Sequence, residues 1–597
     1  MSSAAAIALL ALFSLQGFAP LLPKPSTPQY MVAGARYLVF FDDEARSLGD
    51  ASSLVGMLEA LGVRVLEVFD TLGVALVEAG SPESLDRLRL LPGVRIAEDV
   101  PLRLIEPLTD PRRGNDTIQP QTSISVPTIG ADKLHAEGIT GEGVIVAVLD
   151  TGIDNGHPLL AGRVVWEYDA TQSGVNDYCG KGTEYPSIHG THVAGIIASV
   201  APGAKIYDII VFSEFSYCYW AFTSDIIRGI EKAIEGPDGV AGTEDDADII
   251  NLSLGSLVMP WMAYYIIRGL LWDLLLEVLS NASSTRVVVV AAGNEGPGYY
   301  SINYMCMAEG VICVGASYDL DTDYRFDDFT AWFSSRGPLV DWSTRPHMLA
   351  PGVDILSSVP RELGLEYMEL SGTSMAAPHV SGSAALILDA RPDWGPSEVL
   401  SALMITSDVL NDIWWPLEAP SPIDQGAGLI DVYRAAKAKL LAFFESTGEP
   451  IGTAILAPGY RQELSLVLES QVGALTELEV RPLYLVDMIS GRRAGSQVFS
   501  IEPATVTLEP YGRANVRVGF NNTLLEPGVY SGYVEVVDRL TGESYRVVVS
   551  VVKPFTVPEA LGEETRMKVY VRGTYILIYL EYNTSILPGV AHRSNNS

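Results

Sequence analysis

Five short apolar runs, rich in β-branched residues and separated by helix-like stretches, constrain the fold more than any other feature of this chain. They are VIVAVLD (144–150), IYDIIVF (206–212), IINLSL (249–254), VVVVAA (287–292) and VICVGA (311–316). Strands that are apolar on both faces belong in a parallel sheet covered by helices on both sides. Residues 123–440 therefore predict an α/β unit with a doubly wound parallel sheet, whose chemistry gathers at the carboxyl ends of its strands. In 597 residues such a unit leaves room for others. Residues 36–105 read β-α-β-β-α-β, a small α+β unit in which Ser81 and Pro82 open the second helix. Residues 106–122 are polar and proline-bearing, a linker. From 445 to 554 the helical periodicity stops, and runs such as ELSLVLE and YRVVVSVV predict an antiparallel β-sandwich. In the extension 555–597, VYVRGTYILIYLEY predicts one or two more strands.

Charge and apolar content exclude several functions. Asp plus Glu number 73 against 39 Lys plus Arg, a net charge of −34, which argues against nucleic acid as a partner. Hydrophobic residues make up 48%, so global disorder is excluded. The uncharged run AAAIALLALFSLQGFA (4–19) predicts a signal peptide over residues 1–25 and a secreted or cell-surface protein. The other long apolar stretch, 261–279, is interrupted by Arg268, Asp273 and Glu277, so it predicts a helix buried in protein and no integral membrane segment. Four cysteines admit three pairings. Cys179–Cys218 and Cys306–Cys313 are the favoured pairs: the first would close a loop of about 40 residues, and the second would staple a short turn, with Cys313 as a buried thiol in its strand the alternative.

The chemistry lies in four segments. VAVLDTGID puts Asp150 at the end of the first strand, HGTHVAG puts His189 at a helix start, AAGNEG puts Asn294 after another strand, and SGTSMAAPHV puts Ser374 at a second helix start. In this order they resemble the subtilisin-like serine proteases, the subtilases, over about residues 123–440; NLSLG (251–255), FSSRGP (333–338) and LAPGVDILSS (349–358) add to the likeness. The resemblance implies a secreted serine endopeptidase acting on protein or peptide substrates through an acyl-enzyme. A serine hydroxyl needs a base within reach, and the base needs a carboxylate to hold its tautomer. Ser374, His189 and Asp150 would fill these roles, and Asn294 with the Ser374 N–H would form the oxyanion hole. The base falls on the first histidine of HGTHVAG, which leaves His192 and His379 structural.

The resemblance also implies roles elsewhere. Residues 36–105 look like an inhibitor-type propeptide that blocks the cleft until self-cleavage in the linker. Ser253, Leu254 and Gly255 match the edge that holds substrate backbone, and Ala291, Ala292 and Gly293 a wall of the primary pocket. The aromatic segment 213–224 would face residues upstream of the scissile bond, and 445–554 would be a fibronectin-like module. Calcium is the expected cofactor. Leu159 stands where the family often has an aspartate for one calcium site. Asp238, Asp245, Asp246 and Asp248 in PDGVAGTEDDAD, and the run 319–328, offer oxygen donors of the type calcium prefers. Two other readings of the same residues are a narrow-specificity processing protease and a catalytically silent binding protein of this fold.

Overall fold

A computed structural model describes residues 36–42, 46, 51–108, 122–174, 177–183, 187–213, 217–255, 273–320, 322–339, 341–411, 419–457, 462–488, 490–553, 566–572 and 575–581. The expected signal peptide, residues 109–121 of the expected linker, and most of the apolar stretch 261–279 lie outside these residues. Among the described residues no helix is long and apolar enough to cross a membrane.

The N-terminal unit follows the expected order. Strands β1 (Arg36–Phe41), β2 (Val63–Phe69), β3 (Val74–Ala79) and β4 (Val94–Glu98) alternate with helices α1 (Ala51–Ala60) and α2 (Pro82–Arg89). The sheet order is β2-β3-β1-β4, and all of its pairs are antiparallel. Ser81 caps α2, accepting from Ser84 N at 3.3 Å, with Pro82 at the first helical position. The apolar face of this sheet closes a separate small core around Leu58, Val77 and Leu88.

One expectation changes here. Residues 94–104, read as one strand, are two: after β4 the chain leaves the unit, and β5 (Pro101–Leu104) joins the next one. The break has a physical cause. The buried Asp99 carboxylate accepts from Ser224 N and Oγ at 2.9 Å each and pairs with Arg36 at 2.6 Å, so residue 99 is tied to a helix N-terminus.

The central sheet is built from β6 (Ile145–Asp150), β7 (Val164–Asp169), β8 (Lys205–Ile210), β10 (Ile249–Leu252), β12 (Val287–Ala291), β13 (Ile312–Tyr318), β14 (Phe329–Thr330) and β15 (Met348–Pro351), with β9 (Trp220–Phe222) and β11 (Leu254–Gly255) outside it. Its order is β14-β13-β12-β10-β6-β8-β7, with β15 beside β13, and every pair is parallel except β13–β14. The five runs supply five of these strands. Two apolar clusters cover the sheet's faces: one contains Val146, Val148 and Val289, the other Ala147, Leu149 and Val288, as alternation along the same strands requires. Helices α3 (His189–Val200) and α5 (Thr373–Ala390) lie on the first face, and α4 (Thr223–Glu235) on the second.

The C-terminal unit is two sheets around one core. The first runs in the order Leu440–Phe444, Glu463–Ser470, Arg513–Phe520, Phe499–Glu502. The second pairs Ile451–Ile455, Ser544–Lys553, Gly528–Asp538 and Thr476–Asp487, with Ile451–Ile455 parallel to its neighbour. Leu466 and Val516 from one sheet and Val480, Val534 and Val547 from the other share the core. The first strand starts before the expected boundary at 445, because Leu440 is already paired with Ser470. The unit is joined to the parallel-sheet unit by buried contacts: Glu449 pairs with Arg345 at 3.3 Å, and Tyr533 Oη donates to Gly426 O at 2.8 Å. Arg566–Arg572 and Tyr575–Glu581 form an antiparallel pair.

Candidate active site

The four signal residues come from four different strand ends and helix starts, and the sheet brings them to one place. Asp150 ends β6, and its Oδ1 accepts from Thr151 N at 2.7 Å. His189 begins α3; its Nδ1 lies 2.8 Å from Asp150 Oδ1 and 3.0 Å from Oδ2. Thr151 Oγ1 accepts from Gly190 N at 3.0 Å, locking the strand end to the helix start. The opposite ring atom, His189 Nε2, is buried and bonds nothing. Ser374 is the second residue of α5, fully buried, with Oγ 3.2 Å from both Ile105 O and Ser253 O. Asn294 holds the start of α5: its Oδ1 accepts from Thr373 N at 2.9 Å and from Thr373 Oγ1 at 3.0 Å. Its Nδ2 donates to Glu106 O at 3.1 Å.

The other two histidines are held in the packing. His192 Nε2 lies 2.9 Å from Ile355 O, and burial pushes its pKa down to about 3. His379 is wedged between Met375 O and Ser125 Oγ at 2.8 Å each, with its pKa pushed down to about 4 by burial.

The chain's own residues 101–108 run through this cleft. β5 forms the middle strand of a three-stranded antiparallel sheet, with β11 on one side and β9 on the other. Leu104 faces Leu254 and Arg103 faces Gly255; on the other edge Leu102 faces Ala221, and Leu104 N donates to Tyr219 O at 2.9 Å. This is strand addition, with main-chain bonds holding an extended segment. Leu102 is 1% exposed and shares an apolar cluster with Ala221 and Leu254. Ile105 is buried in the cluster that contains Ala291. Past Glu106, Leu108 N donates to Ser371 O at 2.7 Å and Leu108 O accepts from Ser371 N at 3.1 Å.

Comparison with known proteins decides the family. Residues 141–428 match the Subtilase family. The chain is 34% identical over 321 residues to Subtilisin E of Bacillus subtilis, covering 52% of this chain and 70% of that protein. It is 34% identical over 321 residues to Subtilisin of Bacillus pumilus, covering 96% of that protein, and 34% identical over 316 residues to Serine protease AprX of Bacillus subtilis, covering 66% of it. The chain belongs to the subtilase family. It is a subtilisin-like serine endopeptidase.

Within this subtilase the expected cleft residues are adjacent. Ser253 Oγ donates to Ser374 O at 3.0 Å and accepts from Asn251 Nδ2 at 3.1 Å. Ala291 and Ala292 are fully buried, and Gly293 N donates to Thr373 Oγ1 at 3.0 Å. Gly293 has φ +107°, and a Cβ there would meet Glu295 Oε2 at 2.6 Å, so glycine is required. Sequence reasoning missed Asn303. This buried amide donates to Leu254 O at 3.0 Å and Ala291 O at 2.8 Å, joining the two cleft walls. A lone Asn in SINYM carries no pattern that marks it. Both favoured disulfides are present, Cys179–Cys218 and Cys306–Cys313. The segment 217–222 divides: Tyr217 and Tyr219 are exposed, while Trp220–Phe222 forms the strand edge beside β5.

Among the described residues no group of three or more His, Cys, Asp or Glu is disposed to hold a metal ion. The carboxylates of 238–248 are used as acceptors within their own loop. Asp238 accepts from Val240 N at 2.8 Å, Asp245 from Asp238 N at 3.0 Å and Thr243 Oγ1 at 2.6 Å, and Asp246 from Gly242 N at 2.6 Å and Arg286 at 2.5 Å. Asp248 accepts from Ile145 N at 2.9 Å.

Proposed function

We propose that this endopeptidase uses Ser374 as nucleophile, His189 as base and Asp150 as the carboxylate that fixes the base, and that its first substrate is its own chain. The observation that carries this reading is the path of residues 101–108, with Ser374 Oγ 3.2 Å from Ile105 O. The Asp150 carboxylate holds the proton on Nδ1, which leaves Nε2 with a lone pair for the Ser374 proton. Ser374 Oγ attacks the Ile105 carbonyl carbon. The C–N bond to Glu106 breaks as imidazolium Nε2–H protonates the leaving nitrogen. Water, deprotonated by the same nitrogen, then hydrolyses the ester and frees the Ile105 carboxylate. Asn294 Nδ2 would exchange Glu106 O for the developing oxyanion.

Residues 36–105 then act as a docked inhibitor. Arg228 on α4 is buried and paired with Glu67 of β2 at 2.9 Å, and Thr71 Oγ1 donates to Glu235 at 2.7 Å. With the segment removed, the same two edges would receive other extended peptides, apolar where Ile105 and Leu102 now sit. Secretion and the fibronectin-like character of the C-terminal unit belong to the same proposal. Ser374→Ala tests it: loss of peptide turnover by roughly 10⁴–10⁶ is expected, with retention of the N-terminal unit. Near-normal turnover would end the assignment.

A further inference from the structure

One buried side chain between the cleft walls takes no part in the proposed mechanism, yet it bears on which substrates fit. The register of β5 against β11 pairs Leu104 with Leu254, and one step further it brings the buried Ile105 opposite Ser253. The inference rests on the proposal above, in which Ile105 precedes the scissile bond and its side chain enters the primary pocket. Gly255 on the substrate edge, and Ala291, Ala292 and Gly293 on the expected pocket wall, carry a methyl group or no side chain at all. Walls of that kind by themselves leave room for a large substrate side chain.

Asn303 takes up that room. Its carboxamide spans the two walls, with Nδ2 donating to Leu254 O at 3.0 Å and to Ala291 O at 2.8 Å. A Cβ on Gly255 would collide with Asn303 Nδ2, so the amide lies directly against the backbone of the substrate edge. Asn303 Oδ1 accepts from Met305 N at 3.2 Å and caps the short turn Tyr304–Met307. The backbone is pinned as well: Asn303 N donates to Ala292 O at 2.7 Å, Asn303 O accepts from Cys306 N at 3.0 Å, and Cys306 is bridged to Cys313 on β13. A carboxamide has two N–H donors, and both are spent on the walls. Swinging the side chain aside would strand two buried carbonyls, so it stays in place when a substrate enters.

We propose that Asn303 is the floor of the primary pocket and fixes its depth, so that the residue before the scissile bond is an aliphatic one no larger than isoleucine, and phenylalanine and tyrosine are turned away. With both donors spent, the floor offers no N–H to a polar substrate side chain. An aromatic ring reaches farther from Cα than isoleucine does, and one methylene too many in an apolar pocket is already worth about 10–200-fold in kcat/KM.

The test uses the self-processed full chain and peptides that differ only in the residue before the scissile bond: alanine, isoleucine or phenylalanine. The readout is the ratio of kcat/KM values, which does not depend on how much of a variant is folded. Wild type should cleave after isoleucine at least about tenfold faster than after phenylalanine. Asn303→Gly should raise the phenylalanine-to-isoleucine ratio about tenfold or more. Asn303→Gln keeps the donors but is one methylene longer, and should lower the isoleucine-to-alanine ratio; with the wild-type profile it decides the matter if Asn303→Gly does not fold. A wild type that prefers phenylalanine, or ratios that neither variant moves, would overturn the inference while leaving the serine mechanism standing. Turnover of these peptides that survives in Ser374→Ala would instead overturn the reading on which the inference rests.

Discussion

Leu102→Ala tests the proposal that the N-terminal unit blocks the cleft. Leu102 is 1% exposed and packs with Ala221 and Leu254 on the edges that hold β5. The substitution removes three carbons, each worth about 0.8 kcal/mol of burial, or about 2.4 kcal/mol before any cavity cost. The β5 main-chain bonds remain, so the loss falls on docking. At 1.4 kcal/mol per decade it weakens the complex of cleaved unit and enzyme roughly 50-fold. The assay is hydrolysis of a fluorogenic peptide by self-processed enzyme across a dilution series, which yields the inhibition constant of the released unit. Leu90→Ala serves as control, because Leu90 is on the same unit and 83% exposed. An unchanged inhibition constant for Leu102→Ala, or an equal shift for Leu90→Ala, would refute the view that this side chain anchors the blocking segment.

Three further predictions follow from buried groups. Burial and the Glu235 charge push Glu231 up to about 7, and burial pushes Asp225 to about 6, beneath the docked unit. Raised carboxyl pKa values mean that the docked form binds more protons. Docking strength is therefore fully present below the ordinary carboxyl range and falls as pH rises through 6 to 7. Inhibition constants measured from pH 5 to 8 should rise with pH, and Glu231→Gln should flatten the curve; no pH dependence would count against this. Replacing Cys179 and Cys218 together by Ser opens a loop of 39 residues, worth about 4 kcal/mol in the chain-entropy model. Calorimetry should show a lower Tm, and an unchanged Tm would discount the bridge. Glu449→Ala leaves Arg345 buried without its partner and should cost about 3–5 kcal/mol in denaturant unfolding, whereas a cost under 1 kcal/mol would mean that the pair is solvated.

The central sheet was legible because strands buried on both faces leave continuous apolar runs, and the cleft because its residues sit in short motifs at strand ends and helix starts. Strand β7, VVWEYD, escaped notice: none of its residues is fully buried, so it lacks such a run. The division of 94–104 into β4 and β5 was hidden for a different reason. Both halves alternate like strands, and what separates them is Asp99 reaching a helix N-terminus 125 residues away. Asn303 likewise acts through carbonyls on two other strands. For the acidic loop 237–248, composition counts oxygens but not their direction: Asp245 and Asp246 accept from backbone N–H groups of their own loop. Local periodicity records which faces are buried; it does not record which distant backbone a side chain will find.

The central claim is that Ser374 cuts the chain's own Ile105–Glu106 bond. Intact-mass analysis and N-terminal sequencing of purified wild type and Ser374→Ala test it most directly. Wild type should begin at Glu106, accompanied by a separate fragment ending at Ile105, and Ser374→Ala should remain uncut at this bond. A wild-type N-terminus at Pro107 would move the scissile carbonyl to Glu106, the one Asn294 now holds. Cleavage of both proteins at the same bond would contradict the claim outright.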